Sequence, residues 1–203
     1  MVFDADFLQR CADPSLKPAI VEQFVRQAGS PDPLAVTVSS GSRIILVPPA
    51  KTPEQALELI REHIGTAVVR VGITQYPAGI GVREVSELTP ALVDPCENIR
   101  MGTALFGKVW RIVLKWYGNP KAEEVMPQVL DDALDAWKTG KFEGTAVFSA
   151  PDPGQPKVVE RKHDDPPQPA PEAERPSEGE APVGDPNTAA IRVDLSGIGG
   201  RTP

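Results

Sequence analysis

Val25-Arg26-Gln27-Ala28-Gly29-Ser30-Pro31-Asp32-Pro33-Leu34-Ala35-Val36 takes the chain out of a helix, round a proline-rich turn and into a strand. Ile20, Val21, Phe24, Val25 and Ala28 recur at the spacing of one helix face. They predict a helix that opens near Lys17, with Pro18 tolerated in its first turn, and that stops at Gly29. Beyond the turn, Leu34 to Val38 and Arg43 to Val47 are two β-branched runs separated by Ser39-Ser40-Gly41-Ser42, which reads as a hairpin.

Working outward, a first helix is expected from Asp4 to Ala12, ending before Asp13-Pro14. Thr52-Pro53-Glu54-Gln55 has the pattern of a capping box and opens a helix bearing Ala56, Leu57, Ile60 and Ile64, closed by Gly65. Val68 to Ile73 is apolar apart from Arg70 and Gly72, and periodicity allows either a strand or a buried helical turn. Asp94-Pro95-Cys96-Glu97 is a second capping box. It introduces a helix of about 22 residues with Ile99, Phe106, Val109, Trp110, Val113 and Trp116 on its apolar side, stopped by Gly118-Asn119-Pro120. A last helix is expected from Ala122 to Lys138, burying Val125, Val129, Ala133, Leu134 and Trp137 before Gly140. The sum is an α+β pattern, mostly helical.

Of the 203 residues, 23 are proline, skewed toward the carboxyl end, and no Phe, Trp or Tyr follows Phe148. The expected organisation is a domain over 1–149 and a disordered Pro-rich, acidic tail over 150–203, because the tail has too little apolar surface to offset its ordering entropy. Within that tail, residues 191–200 restore Ile191, Val193, Leu195 and Ile198, a possible short docking peptide or simply a more apolar stretch. The net charge of −7 offers no electrostatic footprint for nucleic acid. Arg100, Lys108, Arg111 and Lys115 form a basic stripe on the long helix, read as a solvated face with an anionic partner as the alternative. No run reaches the length of a membrane span, and the amino terminus as written has no signal-peptide pattern. Cys11 and Cys96 with His63 and His163 make no short-spaced metal motif, so no metal or cofactor is expected. On composition the two cysteines are either one disulfide or two reduced thiols.

Three ordered stretches resemble the VirB-type lytic transglycosylases of conjugation and type IV secretion machines. They are residues 25–36; Val71-Gly72-Ile73-Thr74-Gln75 followed by Asp94-Pro95-Cys96-Glu97-Asn98-Ile99-Arg100-Met101-Gly102; and Ala136-Trp137-Lys138-Thr139-Gly140 with Phe142. The chain resembles more closely the TraH conjugal-transfer proteins of rhizobial and agrobacterial plasmids, through Cys11-Ala12-Asp13-Pro14-Ser15-Leu16-Lys17-Pro18, a core of this size and the Gly-rich ending. The resemblance implies a lysozyme-like, SLT-type transglycosylase domain.

It also locates a loss. VirB-type enzymes protonate the glycosidic oxygen with one Glu at the end of the second helix, and the matching residue here is Ala28. A methyl group donates no proton, and losing a positioned general acid costs at least about 10²- to 10⁴-fold. Glu22 points to another side of the helix, so Asp32 is the one weak substitute candidate. After Gln75 the family's substrate-holding Asn is missing and Tyr76-Pro77 stands there, and Lys138 replaces another Asn. Gln75, Trp137 and Lys138 remain as implied substrate-binding positions, Trp137 either stacking on sugar or packing in the core. The resemblance further implies pairing of Cys11 with Cys96, which requires an oxidising compartment such as the periplasm or cell envelope. If the chain as written is complete, its lack of a signal peptide implies the cytoplasm instead, so the compartment stays open. The expected function is a non-catalytic lysozyme-like component of a conjugative DNA-transfer system that binds peptidoglycan or another transfer protein. The alternatives are an active transglycosylase using Asp32 and a cytoplasmic conjugation adaptor.

Overall fold

A computed structural model describes residues 4–82, 84–120 and 122–154; the tail beyond them, including residues 191–200, lies outside the described residues. Asp4 caps α1 (Ala5–Cys11) by accepting the Asp6 amide, and α2 (Pro18–Ala28) starts with its proline where no amide is needed. The hairpin β1 (Val36–Ser40) and β2 (Arg43–Ile45) follows, then α3 (Pro53–His63), β3 (Val68–Val71) and the short β4 (Tyr76–Pro77). The stretch that periodicity left open is therefore a strand, and one antiparallel sheet runs β2-β1-β3-β4. The long helix α4 (Pro95–Trp116) leads to α5 (Met126–Thr139) and a two-stranded hairpin, β5 (Lys141–Phe142) and β6 (Thr145–Ala146), which the sequence reading did not foresee.

Two capping boxes were expected, and each forms in part. Thr52 Oγ1 accepts the Gln55 amide, but the Gln55 side chain reaches one residue further back, to the Lys51 amide. Asp94 accepts the Glu97 amide, while the Glu97 carboxylate turns forward to pair with Arg100. The last helix also begins later than Ala122. Pro127 lacks an amide and its ring would collide with the carbonyl four residues back, so residues 123–125 take a tighter 3-10 turn and the α-helix opens at Met126.

Two cores result. The helical one packs α1, α2, α4 and α5 around Phe24, Phe106 and Trp137, all fully buried. Phe24 and Phe106 stack at 4.1 Å, and Trp137 meets them edge-on at 5.0 and 6.0 Å. The other core lies between the sheet and α3, where Val38, Val69 and Val71 face Ala56, Leu57 and Ile60. The segment from Val71 to Tyr76 passes between them: Val71 belongs to the sheet core, Ile73 to the helical core, and Tyr76 touches both. Not every expected core position is filled. Trp116, the last residue of the predicted apolar stripe, is 57% exposed.

Candidate functional site

The end of α2 lies against this crossing segment. Gly29 donates to the Val25 carbonyl, and the Ser30 amide donates to the Ile73 carbonyl at 2.8 Å. A side chain at 29 would run into both of those carbonyls, so the approach of helix end to loop requires glycine. Ala28 is the last helical residue, half-buried, with its methyl on the helical core.

Asp32 is exposed. Its Oδ1 accepts the Leu34 amide at 2.9 Å, its carbonyl accepts the Ala35 amide, and its own amide donates to Ser30 Oγ. This is an Asx turn that delivers the chain into β1. A general acid of this kind works from an apolar pocket, whereas Asp32 stands exposed in its turn.

Gly72, at φ +73°, turns the crossing segment, and its amide donates to the Ala35 carbonyl. A Cβ there would sit 2.5 Å from Asn98 Nδ2, because the Asn98 amide group fills that space. Asn98 is buried near the start of α4 and uses its whole hydrogen-bonding capacity. Its Nδ2 donates to the carbonyls of Val71 (3.0 Å) and Leu92 (2.9 Å), and its Oδ1 accepts from the Thr74 amide and hydroxyl, both at 2.9 Å. Thr74 in turn occupies the space beside Gly102, where any Cβ would collide with it. The Gly72-x-Thr74 and Asn98-x-x-x-Gly102 patterns thus interlock, which gives a packing reason for both parts of the second stretch that carried the resemblance.

Gln75 is half-buried in the left-handed region at φ 51°, and its side-chain amide donates back to the Gly72 carbonyl at 3.0 Å. It braces its own turn. Trp137 is fully buried and its indole N–H donates to the Thr74 carbonyl at 3.2 Å. It packs in the core and presents no face for stacking on a sugar, the reading that its spacing with Ala133 and Leu134 already offered. Lys138 is exposed, and the contact it makes here is through its carbonyl. The structure therefore brings Gln75 and Trp137 to one crossing segment as structural members, with Ala28 beside it.

Arg70 is the residue that the sequence reading passed over. Its guanidinium donates to the carbonyls of Gln75 (3.2 Å), Trp137 (2.7 Å) and Lys138 (3.0 Å), and lies 5.9 and 5.6 Å from the ring centroids of Trp137 and Phe148. Burial pushes its pKa down. The carbonyls at the C-terminal end of α5 and two aromatic rings favour the positive charge, so Arg70 ties the sheet to that helix end. No short sequence motif announces such a role, since every hydrogen-bond partner is a backbone carbonyl.

Cys11 and Cys96 are joined in a disulfide, with Cα atoms 5.0 Å apart, linking α1 to the start of α4. Nearby, Thr103 Oγ1 accepts the Asp13 amide, docking the α1–α2 turn on the same helix. The basic stripe is largely consumed internally: Arg100 pairs with Glu97, Lys108 donates to the Phe148 carbonyl at 2.8 Å, and Arg111 forms an ion pair with Asp152 at 2.5 Å. That ion pair pulls the Asp152 pKa down to about 2. Among the described residues no cluster of His, Cys, Asp and Glu could hold a metal ion, and no helix is long and apolar enough to cross a membrane.

The TraH_2 family model matches residues 1–200. The chain belongs to the TraH_2 family. It is thereby a conjugal-transfer-related protein. It is 54% identical to "Uncharacterized protein y4dP" of Sinorhizobium fredii (strain NBRC 101917 / NGR234), over 98% of this chain and the whole of that relative. No solved structure matches the chain. As a TraH_2 member, this chain is expected to act with proteins of a transfer apparatus.

Proposed function

We propose that this TraH_2 protein is a non-catalytic, lysozyme-like component of a conjugative type IV secretion system, which binds a peptidoglycan strand or another transfer protein. One observation carries the reading: the helix end that meets the crossing segment bears the Ala28 methyl, and the nearest carboxylate along the chain, Asp32, is an exposed turn former. Acid catalysis of glycoside cleavage needs a proton donor in an apolar surround, and neither residue is one. The framework around that point is nonetheless fully built, with Asn98, Thr74, Gln75 and Arg70 all satisfied. The Cys11–Cys96 bond supports an oxidising compartment, the periplasm or cell envelope.

Co-sedimentation with purified sacculi tests the binding arm. The full chain should pellet with sacculi, or, if its ligand is a protein, should capture a transfer protein from envelope extracts and leave sacculi unbound. Capture of only cytoplasmic transfer proteins, with Cys11 and Cys96 reduced in cells, would replace this reading with a cytoplasmic adaptor.

A further inference from the structure

We infer that the exposed aromatic cluster at the end of α4 is a docking surface for an arginine-bearing segment of a protein partner, which stacks on Trp116 and pairs with Asp132 and Glu143. The inference concerns a different surface from the α2 end and stands whether or not sacculi are bound.

Trp116 breaks the pattern of its own helix. Val113 on the same stripe is fully buried and Trp110 nearly so, yet Trp116 leaves 57% of its surface in solvent. It is also held in place. The Tyr117 ring lies 4.9 Å from it at 75°, and the Phe142 ring 5.6 Å away at 81°. Phe142 is delivered by the β5–β6 hairpin, whose turn residues Glu143 and Gly144 both take positive φ. An exposed indole braced by two aromatic rings has already lost much of its freedom, so a ligand that stacks on it meets a smaller ordering cost.

The polar groups beside the cluster give the ligand its charge. Tyr117 Oη donates to Asp132 Oδ2 at 2.7 Å, and Gln128 Nε2 donates to Asp132 Oδ1 at 3.0 Å, which fixes that carboxylate. The carboxylates of Asp132 and Glu143 both act on the Tyr117 hydroxyl and push its pKa up, so both negative charges are felt at the aromatic cluster. Each Asp132 oxygen keeps accepting capacity beyond its one bond. Along α5 and the hairpin, Asp131, Asp132, Asp135 and Glu143 stand against Lys138 and Lys141, with Lys115 preceding the indole. An aromatic face beside fixed carboxylates complements a guanidinium, which stacks flat and pairs through its fork. An ammonium does this less well.

The test uses the full chain and fluorescein-labelled hexa-arginine, hexalysine and hexaglutamate peptides, followed by anisotropy. Hexa-arginine should bind several-fold more tightly than hexalysine, and hexaglutamate not at all. Trp116→Ala should weaken hexa-arginine binding about five- to thirtyfold, and Trp116→Phe, which keeps an aromatic face, should restore part of it. Asp132→Asn keeps an acceptor for Tyr117 while removing the charge, and should weaken binding about three- to tenfold. A tail variant, Glu178→Gln with Glu180→Gln, should bind as the parent does. Thermal melts show that each variant is folded. Equal binding by folded parent and Trp116→Ala would overturn the inference, as would a loss confined to the tail variant. Quenching of Trp116 by a chito-oligosaccharide but not by hexa-arginine would also overturn it and assign the surface to a sugar.

Discussion

Replacing Asn98 by alanine removes one amide group that serves three buried backbone groups at once. The Leu92 carbonyl loses its donor and the Thr74 amide loses its acceptor. The Val71 carbonyl gives up one bond but stays opposite Tyr76 in the β3–β4 pair, and the Thr74 hydroxyl keeps a 3.3 Å bond to the Asn98 carbonyl. Each buried group left without a partner costs about 1–3 kcal/mol, reduced where water can enter the space vacated beside Gly72. The sum should fall at about 3–5 kcal/mol, in the range of large single-site effects. In a domain of this size that corresponds to a fall in Tm of about 8–15 °C. Urea and thermal denaturation followed by far-UV circular dichroism measure it directly. Asn98→Asp offers a second reading: it keeps an acceptor, loses both donated bonds and buries a carboxylate, so its loss should grow as pH rises through the carboxylate range. A loss under about 1 kcal/mol for Asn98→Ala would refute the interlock as the element holding the two cores together.

Other consequences are simpler to state. Gly102→Ala pushes a methyl onto Thr74 and should cost about 1–3 kcal/mol, read by the same denaturation. Reducing the Cys11–Cys96 bond opens a loop of 85 residues in sequence separation, and dithiothreitol should lower unfolding stability by about 4–5 kcal/mol in the chain-entropy treatment. Asp152 has a depressed pKa of about 2, so its pairing with Arg111 stabilises fully above the ordinary carboxylate value of 3.8 and is lost as pH falls through about 2. Because Asp152 is partly exposed and screened, its worth is about 0.5–1 kcal/mol, and Asp152→Asn should raise hydrogen exchange in residues 147–154 at neutral pH but not near pH 2. Acrylamide should quench Trp116 and leave Trp137 dark to it until the chain unfolds, with Trp116→Phe removing the quenchable component.

Local signals made the helices readable. Caps, prolines at first turns and Gly140 in the left-handed region act within a few residues, so α2, α3 and α4 could be placed from the text alone. What failed was whatever depends on a distant partner. The basic stripe reads as a free face because nothing in α4 reveals that Phe148 and Asp152 return to cover it. Trp116 sits at an apolar helical spacing, and nothing within α4 shows that the distant Phe142 meets only part of its ring and leaves the rest in solvent. At the candidate site, the helix end at Ala28 and the turn at Asp32 were legible. The inward role of Trp137 was one of two open readings, settled by the Thr74 carbonyl it meets. Arg70 was invisible because backbone carbonyls carry no sequence identity.

Release of muropeptides from purified sacculi, followed by mass spectrometry, bears most directly on the claim that the α2 end holds no working acid. No release above a heat-inactivated control is expected, for the parent chain and for Asp32→Asn alike. Release by the parent chain would contradict it, and its disappearance in Asp32→Asn would assign the missing proton donor to that exposed turn.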